Sequence, residues 1–226
     1  MTGAAGGIGR ELVMELAKGN GHRVIAVSRN ETVLEEIRRE LEADGIHIYI
    51  VTADLVRGYA SALAQIRKLA EKVDILVNNA GILINKPLEE VTDEDIEDTV
   101  QANYMVPVKL CRDLQPLMGQ GTHIINIGSM GGYQGSTKFP GLSVYSSSKG
   151  ALAVFSECMA EEWKERGVAV NCLALGSVQT EMLSNAFPGY KAPTDAKGMA
   201  EWIGYFALEG NKWFNGKVLP VSIQTP

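Results

Sequence analysis

The chain has 226 residues, of which 46% are hydrophobic and 21% are charged, and its formal net charge is −6. This length favours a single domain, residues 1–226, and the acidic balance argues against nucleic-acid binding, which needs a basic face. No run approaches the roughly 18 consecutive apolar residues of a membrane-spanning helix, and the start lacks a signal-peptide pattern, so we expect a cytoplasmic protein with no membrane partner.

Short apolar runs alternate with helical patterns along the chain. The pattern predicts strands at residues 22–28, 46–52, 73–78, 122–128, 168–173 and 217–223. It predicts helices at residues 8–18, 31–43, 59–71, 93–118, 145–166 and 195–208. Strands that are apolar nearly throughout and alternate with helices indicate a parallel sheet covered on both faces. The predicted class is therefore a doubly wound α/β fold, with irregular segments at residues 128–144 and 176–194.

The chain opens with a glycine-rich turn, Thr-Gly-Ala-Ala-Gly-Gly-Ile-Gly at residues 2–9, which leads directly into a predicted helix. Backbone N–H groups at a helix N-terminus are open to an anion here, and the helix dipole also favours negative charge. The turn is therefore a candidate phosphate-binding site. The alternative is a tight turn whose glycines serve only packing.

The end of the next strand indicates which nucleotide binds. Arg29 lies about 20 residues after Gly9, where a dinucleotide-binding fold selects its ribose. The strand ends in Ser28 rather than in a carboxylate, and a guanidinium suits a 2′-phosphate. This pattern favours NADP over NAD, and a solvated surface arginine is the alternative.

Taken in order, these motifs resemble those of the short-chain dehydrogenase/reductase family. The matching positions are Thr2–Gly9, Asp54-Leu55, Asn78-Asn79-Ala80-Gly81, Asn103, Ser129, Tyr145-Ser146-Ser147-Ser148-Lys149, Val178 and Thr180. The resemblance spans essentially the whole chain. It implies a Rossmann-type fold, an NAD(P) cofactor and a small-molecule carbonyl or alcohol substrate. It also implies a homodimer or homotetramer formed through helices 93–118 and 145–166.

The resemblance further implies the roles of individual residues. The cofactor-binding residues would be Gly3, Gly7, Ile8, Gly9, Ser28, Arg29, Asp54, Leu55, Asn79, Ala80, Gly81, Tyr145, Lys149, Val178 and Thr180. The catalytic residues would be Asn103, Ser129, Tyr145 and Lys149. Tyr145 would be the acid in carbonyl reduction or the base in alcohol oxidation. Ser129 would hydrogen-bond the substrate oxygen, and the backbone carbonyl of Asn103 would hold a relay water.

The spacing of Tyr145 and Lys149 agrees with these roles. Four residues separate them, so on a helix they share one face. A tyrosine with a pKa of about 10 is mostly protonated at neutral pH, and a neighbouring ammonium would lower that pKa. Lys149 would therefore stabilise the phenolate, and by resemblance it would also hold the nicotinamide ribose.

A proline close to Asn103 permits a further expectation. Pro107 lies four residues later in a helical pattern and cannot donate to the carbonyl of Asn103, because it has no N–H. We expect a kinked helix with the Asn103 carbonyl left free for a proton relay. A kink that merely fits the surface is the alternative.

Two departures from the family pattern concern the site. The interval from Ser129 to Tyr145 is longer than usual, which leaves Ser143 and Ser147 as rival candidates for the serine role. Leu175 stands where the family usually has a proline before a glycine, so the turn towards the predicted nicotinamide contacts is less rigid.

A third departure concerns the fold. In the family, a buried apolar strand precedes the glycine turn, whereas here Met1 directly precedes Thr2. We therefore expect the first strand to be missing from the sheet; the alternatives are a sequence that lacks a few N-terminal residues and a neighbouring chain that fills the gap. A missing strand favours an alternative function, in which the protein senses a nucleotide or acts as a scaffold without turnover.

The cysteines and histidines indicate neither disulfides nor a metal site. Cys111, Cys158 and Cys172 are far apart and lie in apolar runs, so we expect buried free thiols in a reducing compartment. The three histidines have no second ligand at metal-binding spacing, so no metal is expected.

Overall fold

The computed structural model describes residues 1–19 and 21–223. Its strands are β1 (Ile25–Ser28), β2 (Tyr49–Thr52), β3 (Ile75–Asn78), β4 (His123–Ser129), β5 (Ala169–Leu175), β6 (Val178–Gln179), β7 (Thr194–Asp195) and β8 (Val218–Val221). Its α-helices are α1 (Gly7–Lys18), α2 (Glu31–Ala43), α3 (Tyr59–Leu69), α4 (Asp93–Val100), α5 (Val106–Leu114), α6 (Ser143–Glu162), α7 (Glu181–Ala186) and α8 (Ala196–Glu209). Within the described residues, no helix is long and apolar enough to cross a membrane.

The strands form parallel sheets with helices on both faces. β1 pairs with β2, and β3, β4, β5 and β8 follow one another in a second sheet. One hydrophobic core packs α1, α2 and α8 against the strands, and the other packs α3, α5 and α6. Strands buried on both faces explain why their sequences are almost continuously apolar. The predicted Rossmann-type doubly wound fold is confirmed.

Between β1 and β3, the described residues supply a short bridge in place of a strand. Thr2 bridges to Val27 and donates its N–H to the carbonyl of Val77 at 3.0 Å, while Val27 donates to the carbonyl of Met1 at 2.9 Å. A cavity of about 630 Å³ continues from this bridge between the two sheets. Its apolar lining includes Leu16, Val24, Ile66, Leu69, Leu76 and Leu110. The absence of a full strand here, within the part of the chain that the structure describes, agrees with the expectation.

The helix predicted at residues 93–118 is not continuous. Its N-terminus forms a capping box, in which Asp95 donates its N–H to the Thr92 hydroxyl at 3.1 Å and the N–H of Thr92 donates to the Asp95 carboxylate at 3.0 Å. A π-helical segment, Gln101–Met105, then separates α4 from α5. Pro107 cannot supply the donor that an uninterrupted α-helix would need. The regular α-helical register is interrupted near Asn103, and the kink and the free carbonyl of Asn103 stay predictions.

The segment predicted as irregular, residues 176–194, contains short regular elements. Thr180 caps α7 by accepting a hydrogen bond from the N–H of Leu183 at 3.2 Å, and β6 pairs with β7. A helix of six residues is shorter than two turns, so it shows little hydrophobic periodicity. The prediction of a wholly irregular loop is therefore wrong.

The prediction of three buried thiols is wrong for one of them. Cys111 and Cys172 are buried, but Cys158 is exposed. On α6, Leu152, Ser156 and Ala160 face the core, and Cys158 lies between the last two on a different face of the helix. A local apolar composition does not by itself specify which face a residue occupies.

His123 ties β4 to α8 and to β5. Its side chain is fully buried, with Nδ1 3.1 Å from the carbonyl oxygen of Ala207 and Nε2 3.0 Å from the amide nitrogen of Asn171. These partners select the neutral imidazole that donates from Nδ1 and accepts at Nε2. Burial lowers the pKa of His123 to about 4.

This histidine should make folding stability depend on pH. The unfolded histidine titrates near 6.5 and the folded one near 4, so the unfolded state binds more protons in between and stability falls as the pH drops through this window. Across this window the free energy of unfolding falls by at most about 3 kcal/mol. When unfolding in urea is measured from pH 7 to pH 4, the free energy of unfolding of His123→Gln should fall less steeply than that of wild type. His47→Gln, at an exposed position, should keep the wild-type slope. Equal slopes for His123→Gln and wild type would contradict this assignment.

Candidate active site

The predicted site residues gather at one edge of the parallel sheets. β1 ends at Ser28, β3 at Asn78, β4 at Ser129 and β5 at Leu175. Ligands of doubly wound folds bind at the carboxyl ends of the strands. This topology is why residues far apart in sequence meet at one place.

The glycine turn is locked to the segment that follows β3. The hydroxyl of Thr2 accepts hydrogen bonds from the N–H groups of Asn79 and Ala80 at 3.1 and 3.0 Å. In return, the Asn79 amide donates to the carbonyls of Thr2 and Gly3 at 3.2 and 3.1 Å. Two predicted cofactor segments are therefore held as one unit.

Within the turn, particular glycines are required by the backbone. Gly3 has φ +66°, and a Cβ at Gly9 would lie 1.9 Å from the carbonyl oxygen of Gly3. A Cβ at Gly7 would lie 2.9 Å from Cγ2 of Thr180, so the residue that caps α7 packs directly on the turn. Ile8 follows in the first turn of α1. The open N–H groups at this helix start fit an anionic phosphate.

The position of Thr180 does not require a proline at 175. Leu175 extends β5, and the N–H of the following Gly176 donates to the carbonyl of Val221 in β8 at 2.9 Å. Val178 is buried beyond this turn. Sheet pairing therefore fixes the turn that a proline would otherwise stiffen.

A cavity of about 220 Å³ lies beside the turn at the ends of β1 and β3. Its lining includes the predicted residues Gly3, Ser28, Arg29, Asp54, Leu55, Ala80 and Gly81. The Asp54 carboxylate accepts from the N–H groups of Val56 and Arg57 at 2.8 and 3.2 Å. Arg29, with a side chain 72% exposed, lies 4.0 Å from Asp54.

Arg57 also lines this cavity and was missed by the sequence analysis. It follows Asp54 by three residues, and the turn capped by Asp54 places it there. An aspartate that caps its own loop would have been the signal. The lining of the cavity therefore includes two arginines.

The phenol of Tyr145 meets the side chain of Ser129 at the end of β4. Burial raises the pKa of Tyr145, and a hydrogen bond with Ser129 acts in the opposite direction. Ser129 Oγ also accepts from the N–H of Gly131 at 3.1 Å. The rival Ser147 is exposed and donates its hydroxyl to the carbonyl of Ser143 at 2.7 Å. Of these serines, Ser129 is the one that lies against the phenol.

Lys149 is buried, with 5% of its surface exposed. Its Nζ donates to the carbonyl oxygen of Ile127 at 2.8 Å. Burial lowers the pKa of Lys149 to about 8, and the nearby Cys172 acts in the opposite direction. The ammonium is therefore still the main form at neutral pH, within a poorly solvated site.

Asn103 is fully buried in the π-helical segment. Its Oδ1 accepts from the N–H of Ile82 at 2.8 Å, and its Nδ2 donates to the carbonyl of Ile82 at 2.9 Å and to Ser148 Oγ at 3.1 Å. No sequence motif assigns a role to Ile82 or Ser148. Their contacts depend on the π-helical register, which no motif specified.

Gly81 lies where Asn103 and Lys149 meet. A Cβ at this position would be 2.7 Å from Oδ1 of Asn103 and 3.3 Å from Nζ of Lys149. The predicted catalytic residues Asn103 and Lys149 therefore converge around a residue that must lack a side chain.

The mouth of the site is formed by loops that contact one another. The Asn85 amide donates to the carbonyl of Ala186 at 2.8 Å, which ties the loop after β3 to α7. Phe139, Met182 and Tyr190 are exposed in the surrounding segments. Exposed apolar side chains therefore lie in and near these segments.

Residues 1–191 match the family model described as short chain dehydrogenase. The chain is 34% identical over 90% of its length to a fatty acyl-CoA reductase of Mycobacterium tuberculosis, covering 70% of that protein. It is also 34% identical over 80% of its length to the 3-oxoacyl-[acyl-carrier-protein] reductase FabG of Escherichia coli, covering 73% of that protein. The chain spans 59–73% of the lengths of five curated relatives that it matches.

Solved structures give the same result for the fold. L-sorbose reductase from Gluconobacter frateurii, complexed with NADPH and L-sorbose, has a TM-score of 0.87 and 26% sequence identity; the match covers all of this chain and 94% of that one. Other similar folds were solved with NADP and with NADH. These structures support an NAD(P) cofactor without deciding between its two forms.

Substitution of Gly81 should test the convergence at this residue. Gly81→Ala would force the Asn103 amide or the Lys149 ammonium to move, and overpacking of this kind costs about 1–3 kcal/mol of stability. The matched control is Gly119→Ala, because no atom lies within 4 Å of a Cβ there. Urea unfolding should show the loss for Gly81→Ala and almost none for the control. Equal stabilities of the two variants would contradict the observed packing.

Proposed function

The chain belongs to the short-chain dehydrogenase family of oxidoreductases, and on this premise we propose that it transfers a hydride between NADP and a carbonyl or secondary alcohol. The observation that carries the proposal is the arrangement around Tyr145. Its phenol meets Ser129, and the buried ammonium of Lys149 lies one helical turn away, beside Gly81. Asn103 is linked to the same helix through Ser148.

The residues at the sheet edge fit a dinucleotide. The N–H groups at the start of α1 would hold its phosphates, and the 220 Å³ cavity would hold its adenosine end, with Asp54 and Leu55 in the lining. Val178 and Thr180 would contact the nicotinamide end, since Thr180 packs on Gly7. When bound, the reduced cofactor supplies the hydride, and the protein supplies orientation and the proton.

Tyr145 acts as the acid in the direction of reduction. Because burial raises its pKa, the phenol is protonated at neutral pH and can donate its proton to the substrate oxygen. The phenolate that forms is stabilised by the ammonium of Lys149, which Ile127 holds in place. In alcohol oxidation, the same phenolate takes the proton.

Ser129 and Asn103 complete the proposed site. Ser129 Oγ already lies against the phenol, so its hydroxyl can hydrogen-bond the same substrate oxygen and fix its position. The backbone carbonyl of Asn103 would hold a water through which Tyr145 and Lys149 exchange protons with solvent. The π-helical segment and Pro107 support this role, because they disturb the pairing of helix carbonyls there.

A preference for NADP is supported by charge. Ser28 leaves the ribose without the carboxylate that would select a 2′-hydroxyl, while Arg29 and Arg57 line the cavity. A guanidinium can bind a phosphate with two parallel hydrogen bonds.

The exposed apolar side chains near the site suggest a partly hydrophobic carbonyl substrate. The expected homodimer or homotetramer stays a prediction.

Removal of Arg29 should reveal the cofactor preference. Arg29→Ala removes a partner for the 2′-phosphate, so the KM for NADPH should rise about tenfold, while the KM for NADH should change little. Arg39→Ala, on the exposed face of α2, serves as the control. Initial rates with both cofactors decide the question, and an equal rise for NADPH and NADH would refute a 2′-phosphate contact.

Removal of the Tyr145 hydroxyl should abolish most turnover. Without its acid, Tyr145→Phe should lose about 10²–10⁴-fold in kcat with a panel of ketones, while the Kd for NADPH stays within a few fold. Tyr205→Phe, at a position 68% exposed on α8, should retain full activity.

The same panel also tests the alternative function. Tight NADPH binding by the wild-type protein, without oxidation by any carbonyl compound, would favour a nucleotide-sensing protein. Unchanged turnover in Tyr145→Phe would disprove the proposed mechanism.

A further inference from the structure

Ser148 occupies a position in α6 between Tyr145 and Lys149, and only 4% of its surface is exposed. Its hydroxyl makes two contacts. It accepts a hydrogen bond from Nδ2 of Asn103 at 3.1 Å and donates one to the carbonyl oxygen of Tyr145 at 2.7 Å. The hydroxyl therefore joins two of the residues assigned to the proposed site, Asn103 and Tyr145, although it is buried.

The neighbouring serines make no such link. Ser147 is exposed, and its hydroxyl bonds back to the carbonyl of Ser143 within α6. The Ser146 hydroxyl has no hydrogen-bond partner among the described residues. Within the run Ser146–Ser148, the link from α6 to another element is made by Ser148.

The contact completes the hydrogen bonding of the Asn103 amide. Oδ1 and one hydrogen of Nδ2 are satisfied by the backbone of Ile82, and the second hydrogen of Nδ2 is satisfied by Ser148. Removing the Ser148 hydroxyl would leave a buried N–H without a partner, which is more costly than losing an exposed bond. Asn103 is held from two directions only when Ser148 is present.

The hydrogen bond between Ser148 and Asn103 also constrains the backbone of the π-helical segment. Asn103 lies inside a π-helical segment, a rare conformation that needs tertiary contacts to persist. Pro107 removes one donor of the regular helix, so the local sequence fixes this register only weakly. A bond from the Asn103 side chain to α6 holds the segment in the register that faces Tyr145 and Lys149.

We propose that Ser148 is a positioning residue that fixes the Asn103 amide and couples the π-helical segment to the helix carrying Tyr145 and Lys149. It touches neither substrate nor cofactor. Its effect on turnover, which rests on the function proposed above, arises through the Asn103 carbonyl and its path for protons.

The first test does not depend on activity. Amide hydrogen exchange of residues 101–106 should become at least tenfold faster in Ser148→Ala than in wild type, because the π-helical segment loses its link to α6. Ser147→Ala, one residue away on the same helix, should leave this exchange unchanged. Unchanged exchange in Ser148→Ala would overturn the inference, whether or not the protein reduces any ketone.

The second test is kinetic. Ser148→Ala should lower kcat about tenfold, leave the KM for NADPH within twofold, and alter the pH profile of kcat. In an Asn103→Ala background, the second substitution should have no further effect, because Ser148 acts through Asn103. Independent effects of the two substitutions on kcat would indicate a purely structural role and overturn the proposal.

A third variant covers the case in which Ser148→Ala does not fold. Ser148→Cys keeps a weak donor and acceptor at the same position, so it should show exchange and turnover between those of wild type and alanine. If Ser148→Ala does not fold, wild-type exchange rates and an unaltered pH profile of kcat in Ser148→Cys would overturn the proposal. Absence of carbonyl reduction in the wild-type protein would refute the proposed function and leave the exchange test of Ser148 intact.

Discussion

The arrangement of the candidate site depends on the burial of the Lys149 ammonium. A lysine that is 5% exposed loses its hydration, and burial of a charge is unfavourable unless polar groups replace the water. The carbonyl of Ile127 does so at 2.8 Å, yet the pKa still falls to about 8. The site therefore holds a cation that is poorly solvated and able to stabilise a nearby anion.

Several neighbouring features follow from that buried charge. Gly81 must lack a side chain because Nζ of Lys149 and the Asn103 amide occupy the space. Tyr145, one helical turn from the ammonium, has its pKa raised by burial and so begins as an acid. In the proposed reduction, the phenolate left after proton transfer would lie one helical turn from the Lys149 ammonium. A poorly hydrated acid and a poorly hydrated cation would then have complementary tasks.

Much of this arrangement could be predicted from the sequence. The strands of a parallel sheet are buried on both faces, so β3, β4 and β5 are mostly apolar and their carboxyl ends could be located within two residues. Because the carboxyl ends of all strands meet at one edge, Ser28, Ser129 and the Asn79–Gly81 segment were expected to converge. The spacing of Tyr145 and Lys149 depends only on helix geometry.

The remaining features depend on tertiary contacts that no short pattern encodes. The π-helical register around Asn103 is held by Ile82 and Ser148, which belong to other elements. Thr180 packs on Gly7 because the pairing of Gly176 with β8 fixes the turn before it, so no proline is needed at position 175. Cys158 is exposed because of the orientation of α6. In each case, the deciding partner lies far away along the chain or on a face that composition does not reveal.

The pH dependence of alcohol oxidation tests the role of the Lys149 ammonium most directly. Oxidation requires the Tyr145 phenolate, so kcat/KM rises with pH as the phenol loses its proton. In Lys149→Met the phenolate loses the stabilisation of the lysine ammonium, and the rising limb of the profile should move to higher pH with a lower plateau. A rising limb at the wild-type pH in the variant would contradict the account, because it would show that the phenol titrates independently of the buried ammonium.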